Sequence, residues 1–331
     1  MTADRVRRIV ARAALAAAAA ALASCATSPP VPSPSIAPAL GKSTYTSFDG
    51  DRLPYRRWLP KNGDTKLVVV GFHGIAGASV DLENLGTHLQ DHLPGAAVYA
   101  PDLRGQGYDP QVSRRGDIRH QEDWILDART FSRLVRTSHP GSRVVWWGES
   151  MGSLIALHTV ATTDPPPCDA LILASPVVRI GDNIPAWRRG LFRLASFVAP
   201  KKRISLESLS GEDTVQVTRG EVHQDQAATN PYHVSKFSLR LLASLEHMIR
   251  TAPEAAGQVS IPVLVVHGGH DLFSNPADVA HFAKRFPTPA KRHYYPDSYH
   301  LLFYDHEKDK VAADVTTWLR ELPLENKPSL P

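Results

Sequence analysis

The sequence predicts an α/β fold, with a mostly parallel central sheet flanked by helices and a helical cap inserted between two neighbouring strands. Three observations carry that expectation. Apolar runs rich in β-branched residues recur at Lys66–Phe72, Val144–Trp147, Ala170–Pro176 and Ile261–Val266, the length of strands buried on both faces. A helical pattern, Val80 to Leu93, lies between two such regions. Finally, the strand-like run at Val144 breaks at Gly148, presents Ser150 and restarts as a helix after Gly152.

The N-terminal residues do not belong to that fold. Arg5, Arg7, Arg8 and Arg12 precede an apolar stretch, Ala13 to Leu22, that is short for a bilayer span, so residues 1–24 read as a signal peptide. Leu22-Ala23-Ser24-Cys25 resembles the bacterial lipobox, which implies lipidation of Cys25; the plainer alternative is an ordinary cleavage site beside an incidental cysteine. Because Ala26, and no aspartate, follows the cysteine, the resemblance implies the periplasmic face of the outer membrane in a Gram-negative envelope. Residues 25–42 are rich in Pro, Ser and Ala and read as a solvated tether reaching about 50 Å. Cys25 and Cys168 are the only cysteines, so lipidation at Cys25 leaves Cys168 without a disulfide partner. The four arginines of the leader account for most of the formal +4 charge, and a near-neutral remainder argues against a nucleic-acid partner.

The catalytic domain is expected over 43–176 and 259–325. Gly148 and Gly152 flank Ser150 at the G-x-S-x-G spacing of a nucleophile elbow, which holds a serine on a tight strand-to-helix turn at the start of a helix. The strand Ile261–Val266 leads into His267-Gly268-Gly269-His270-Asp271, and Arg292–Pro296 leads through Asp297 to His300. A Ser150…Asp271…His300 order, each member on a loop after a strand, is that of the α/β-hydrolase fold. Plainer roles are a capping histidine for His300 and a turn aspartate for Asp271. His267 and His270 could be half of a metal site, but no third ligand of usual spacing accompanies them, and no metal is expected. Asp297 rivals Asp271 as the acid but is only three residues before His300. In this architecture the oxyanion donors are the backbone N–H groups of Met151 and Ile75, the latter in the loop His73-Gly74-Ile75-Ala76-Gly77. His73 reads as a brace for that loop.

These motifs resemble the monoacylglycerol lipase and lysophospholipase-type members of the α/β-hydrolase superfamily, also grouped as serine aminopeptidase-like hydrolases. The resemblance rests on Phe48–Leu53, Tyr55–Trp58, Phe72-His73-Gly74, Ala100–Gly107, the elbow, His267–Asp271 and His300, and spans about Ser47 to Leu319. Gln106 and Glu149 depart from it, standing where histidine is common. It implies hydrolysis of lipid carboxylic esters through an acyl-enzyme, with no cofactor. A peptidase or amidase on the same machinery, with acidic residues such as Glu207, Glu212, Asp213 and Glu221 holding a peptide amine, remains the enzymatic alternative. A non-catalytic lipid-binding envelope protein is the alternative outside enzymes.

Residues 177–258 separate two strands expected to be sheet neighbours, and read as the cap. Trp187, Leu191, Leu194 and Val198 repeat at helical spacing with Arg188, Arg189 and Arg193 between them. Burial of this stripe on the core is expected; a lid meeting lipid headgroups is the alternative. Leu239 to Met248 reads as a second cap helix.

Overall fold

A computed structural model describes residues 36–179, 186–205, 218–219, 230 and 232–322. The signal peptide, Cys25 and the tether up to residue 35 lie outside the described residues, as do Glu207, Glu212, Asp213 and Glu221; the end of the expected tether is corrected, because Ala39–Leu40 pair with Thr46–Tyr45 at the sheet edge and are not a solvated linker.

The chain runs through β1 (Ala39–Leu40), β2 (Thr44–Thr46), β3 (Arg52–Trp58), β4 (Leu67–Phe72), α1 (Glu83–His92), β5 (Ala96–Pro101), α2 (Gln121–Ser138), β6 (Arg143–Glu149) and α3 (Met151–Ala161). It continues through β7 (Ala170–Ala174), α4 (Ala186–Val198), β8 (Arg203–Ile204), β9 (Phe237–Ser238), α5 (Leu239–Ala256), β10 (Val263–Gly268), α6 (Pro276–Phe282), β11 (Lys291–Tyr295) and α7 (Lys308–Glu321). The main sheet has the order β1-β2-β3-β5-β4-β6-β7-β10-β11. Pairing is antiparallel from β1 to β5 and parallel from β5 to β11.

Central strands covered on both faces need apolar side chains on both, so β4, β6 and β10 read as continuous runs instead of alternating ones. Alternate residues still point to opposite faces: Val68, Val70 and Phe72 of β4 join one core cluster, and Val69 joins the other. The first cluster is covered by α2, α3 and α5, contributing among others Phe131, Ile155 and Met248. On the opposite face α1 and α7 supply Leu85, Leu89, Val315 and Trp318. As expected, β7 and β10 are parallel neighbours despite the long connection between them, with Leu171 opposite Val263.

Two motifs far apart in sequence meet at one ionic cluster. Arg104 is buried and bonds Asp127, Asp49 and Asp51, while Arg114 bonds Asp109 and Asp51. Burial opposes charge on Arg104, but the hydrogen bonds and charges of Asp127 and Asp49 outweigh it and hold its pKa above the ordinary guanidinium value. The cluster ties the 48–53 turn to the 100–107 loop, which accounts for both acidic turn residues and for the arginine.

The expected burial of Trp187, Leu191, Leu194 and Val198 is overturned: all four are exposed, together with Phe197. The reason is layering. Helix α5 lies against α3, and α4 lies against α5, so α4 stands two helix layers out from the sheet. Of its large side chains Phe192 packs against the core, leaving the stripe to face outward. Helix α5 is also longer than its sequence pattern, because Ala252 and Ala256 continue the buried face beyond Met248. Its start is fixed by Ser238, whose Oγ accepts a hydrogen bond from the N–H of Leu241. Among the described residues no helix is long and apolar enough to cross a membrane.

Candidate active site

Strand β6 delivers Ser150 to the C-terminal edge of the sheet and α3 begins at the next residue. Ser150 has φ 53° and ψ −115°, a backbone state that costs a non-glycine residue on the order of 1–3 kcal/mol. The glycines allow this turn by close approach. A Cβ on Gly148 would lie 2.5 Å from the Gly152 carbonyl oxygen, and one on Gly152 would collide with the Phe72 carbonyl oxygen. The Ser150 N–H donates to the Ala174 carbonyl at 3.0 Å, and Ser153 Oγ donates to the Gly148 carbonyl at 2.6 Å. The elbow is thus held on both sides by β4 and β7.

Asp271 and His300 follow β10 and β11. The two turns interlock, because a side chain on Gly268 would overlap the carbonyl oxygens of Ser298 and Tyr299. His300 Nδ1 lies 2.8 Å from Asp271 Oδ2. An ionised carboxylate only accepts, so Nδ1 carries the proton and the Nε2 lone pair is left for another partner. Asp271 Oδ1 accepts from the N–H groups of Phe273 and Ser274, which fixes the carboxylate plane. Burial opposes protonation of His300, but the charge and hydrogen bond of Asp271, with a smaller contribution from Glu149, hold its pKa above the ordinary imidazole value. Asp297 is exposed, and its N–H donates to Glu307 Oε2. No hydrogen bond joins Ser150 Oγ to His300; such bonds often close only around a substrate. The two residues are nevertheless linked through adjacent backbone, since Ser150 bonds Ala174 and Ser175 Oγ donates to the His300 carbonyl at 2.5 Å.

The loop after β4 lies over the serine: a Cβ on Gly74 would be 3.4 Å from Ser150 Cβ. Met151 is the first residue of α3, so its N–H has no acceptor within the helix. The Ile75 N–H has no hydrogen bond among the described residues, whereas the next one, that of Ala76, donates to Gln106 Oε1 at 3.0 Å. Ala76 itself has φ 62°, so this bond supports a strained backbone. His73 accepts from the Leu103 N–H through Nε2 at 3.0 Å, which requires its proton on Nδ1, facing the Gly74 carbonyl at 2.8 Å. Its ring braces the loop.

Three contributors carry little sequence signal. Gln106 clamps Ala76, Ser175 positions the His300 backbone, and Glu149 sits beside the serine, buried. Burial, then the charge of Asp81, pushes Glu149 up to about 8, against the opposing pull of His300. Gln106 and Glu149 stand out in the sequence as departures from a pattern, whereas Ser175 is marked only by following a strand. His267 accepts from Arg292 Nη1 at 2.7 Å, and burial followed by the Arg292 charge lowers its pKa to about 4. His270 stacks on Tyr299 instead of facing His267.

The strand order and the serine turn define an α/β-hydrolase. Residues 63–307 match the family model described as serine aminopeptidase, S33, and the chain belongs to that family of hydrolases. It is 26% identical to a monoacylglycerol lipase of Mycolicibacterium smegmatis over 286 residues, covering 86% of this chain and 98% of that protein. Among solved structures it resembles a soluble variant of monoglyceride lipase from Saccharomyces cerevisiae, with TM-score 0.71, 20% identity and coverage of 88% and 98%. Paleococcus ferrophilus monoacylglycerol lipase matches with TM-score 0.66, 20% identity and coverage of 81% and 98%.

Proposed function

We propose that the protein is a serine hydrolase of lipid carboxylic esters, of the monoacylglycerol or lysophospholipid type. Ser150 Oγ attacks the acyl carbonyl carbon as its proton passes to His300 Nε2, and Asp271 stabilises the resulting imidazolium. The N–H groups of Met151 and Ile75 receive the oxyanion, worth about 3–4 kcal/mol per donor in comparable sites. Collapse breaks the ester C–O bond, and His300 returns the proton to the leaving alcohol. Water then attacks the acyl-serine with His300 again as base, releasing the carboxylic acid and restoring Ser150. The observation that carries this reading is the buried Asp271–His300 pair at the sheet edge that holds the strained Ser150 turn. Similarity to lipases favours esters over amides. In the same reading Cys25 bears the lipid that keeps the enzyme at the periplasmic face of an outer membrane, where its substrates lie.

Turnover of monoacylglycerols, lysophospholipids, short esters and peptide anilides, compared with Ser150→Ala, tests the chemistry. Ester turnover that vanishes in Ser150→Ala supports it; selective anilide cleavage overturns the ester assignment. For the anchor, intact mass should show a lipidated Cys25 at the mature N-terminus, and Cys25→Ser should leave the membrane fraction or persist as the precursor. A mature chain beginning at an unmodified residue beyond Cys25 contradicts the anchor.

A further inference from the structure

The proposed oxyanion donor, the N–H of Ile75, lies between two peptide planes, and a side chain holds each of them. In the plane before Ile75, the Gly74 carbonyl accepts from His73 Nδ1–H at 2.8 Å. A trans peptide points its C=O and N–H in opposite directions, so this bond turns the Ile75 N–H away from the His73 ring. In the plane after Ile75, the Ala76 N–H donates to Gln106 Oε1 at 3.0 Å. With both planes held, φ and ψ of Ile75 are set together and its N–H keeps one direction. The loop that carries it lies over the nucleophile, since a Cβ on Gly74 would be 3.4 Å from Ser150 Cβ.

The plane after Ile75 is the one that needs a clamp. Ala76 has φ 62°, a left-handed state that a residue with a Cβ adopts only at a cost. Gln106 is fully buried, and its orientation follows from its chemistry: a flipped amide would set Nε2 against the Ala76 N–H, donor against donor. Held this way round, Nε2 is buried with no partner among the described residues. The chain tolerates that unpaired donor, which is costly, and gains one acceptor at Ala76. The backbone carrying Gln106 is itself anchored. Arg104 is bound by Asp49, Asp51 and Asp127, its carbonyl accepts from Trp124 Nε1 at 2.9 Å, and the Gly105 N–H donates to Asp109 Oδ2 at 2.6 Å.

We propose that, within the hydrolase reading on which this inference rests, Gln106 is a positioning residue for the oxyanion hole: through the Ala76 N–H it holds the strained peptide plane that aims the Ile75 N–H at the oxyanion. Gln106 touches no reacting atom. Its effect falls on the transition state, in which the carbonyl oxygen carries charge, and hardly on substrate binding. Once the bond is lost, Ala76 relaxes out of the left-handed region and carries the Ile75 N–H off line. A glycine at that position has no such tendency.

The test is steady-state hydrolysis of a soluble short-chain ester by the full chain, with Ser150→Ala as the reference for the hydrolase reading. Gln106→Met fills the same space without a carbonyl and should lower kcat by about 10–100-fold, with KM within about twofold. Affinity for a trifluoromethyl ketone, which forms a tetrahedral oxyanion on Ser150, should fall by the same factor. Gln106→His offers an acceptor nitrogen at a similar reach and should stay within about threefold of the parent chain. Gln106→Asn draws the carbonyl back by one methylene; it should show a smaller loss of the same kind, and it decides the matter if Gln106→Met does not fold. Adding Ala76→Gly to Gln106→Met should recover kcat by about fivefold. Because kcat is counted per site titrated with fluorophosphonate, a glutamine that only supports folding would leave fewer sites with an unchanged kcat, which overturns the proposal. A loss confined to KM overturns it, as does a loss of kcat with unchanged ketone affinity or no recovery with Ala76→Gly. A parent chain without ester turnover, or Ser150→Ala with undiminished turnover, overturns the hydrolase reading and this inference with it.

Discussion

Helices α3 and α4 each bring large apolar residues, and they meet opposite fates. Every residue of α3 from Met151 to Val160 is buried, wedged between β4, β6, β7 and α5. In α4, two layers from the sheet, the large apolar side chains mostly face solvent. A helix that is apolar all round has only one solution, the middle of the domain, and in this protein that solution also fixes the residue at its N-terminus, Ser150. An amphipathic helix has several, because a stripe can be buried by the core, by a partner or by lipid. The machinery of the proposed reaction hangs on the first kind of helix.

The largest expected effects come from the α3 side. Ser150→Ala and His300→Ala should each reduce kcat by about 10³-fold or more, and the double variant should lose little beyond either one, because the residues act as a unit. Asp271→Asn should come close behind, chiefly in kcat, since an amide presents the wrong partner to Nδ1–H. Asp297→Asn should be nearly silent; steady-state kinetics that reversed the two aspartates would remove Asp271 from the account. The elevated His300 pKa places the acid limb of kcat/KM above the ordinary imidazole value, because only the neutral ring accepts the serine proton.

The contrast between the helices is sharpened by one substitution type. Leu157 of α3 is 1% exposed and Leu191 of α4 is 57% exposed. Leu157→Ala should cost about 2–5 kcal/mol in urea unfolding, and Leu191→Ala less than about 0.5. Comparable losses would mean that the α4 stripe is buried after all.

A smaller effect separates the elbow from its surroundings. Glu149 keeps its proton up to about pH 8 in the folded chain but ionises near 4.5 when unfolded. Between those values the folded state binds more protons, so this group makes stability fall as pH rises, by at most about 1.4 kcal/mol per pH unit. Glu149→Gln should therefore gain on the parent chain from pH 5 to 8 and hold the gain above. Parallel pH–stability profiles would contradict the buried neutral carboxyl.

The same contrast explains what could be read from the sequence. The strands were legible because burial on both faces leaves an unbroken apolar run, as in Val68-Val69-Val70. Ser150, Asp271 and His300 were legible because their positions follow from strand ends and chain order. The orientation of α4 was not, since its periodicity states that one side is apolar without stating what lies opposite, and only the placement of α5 between it and the sheet decides. Gln106 and Ser175 act through single bonds to backbone atoms distant in sequence, Ala76 N–H and the His300 carbonyl, and such partners leave no local pattern.

The central claim is that Ser150 is a nucleophile activated by His300 within the folded sheet edge. Fluorophosphonate labelling followed by peptide mapping tests it most directly. A single adduct on Ser150 is expected in the native chain, lost on unfolding and strongly slowed in His300→Ala. An unlabelled native chain, or an adduct on another serine such as Ser153 or Ser175, would contradict it.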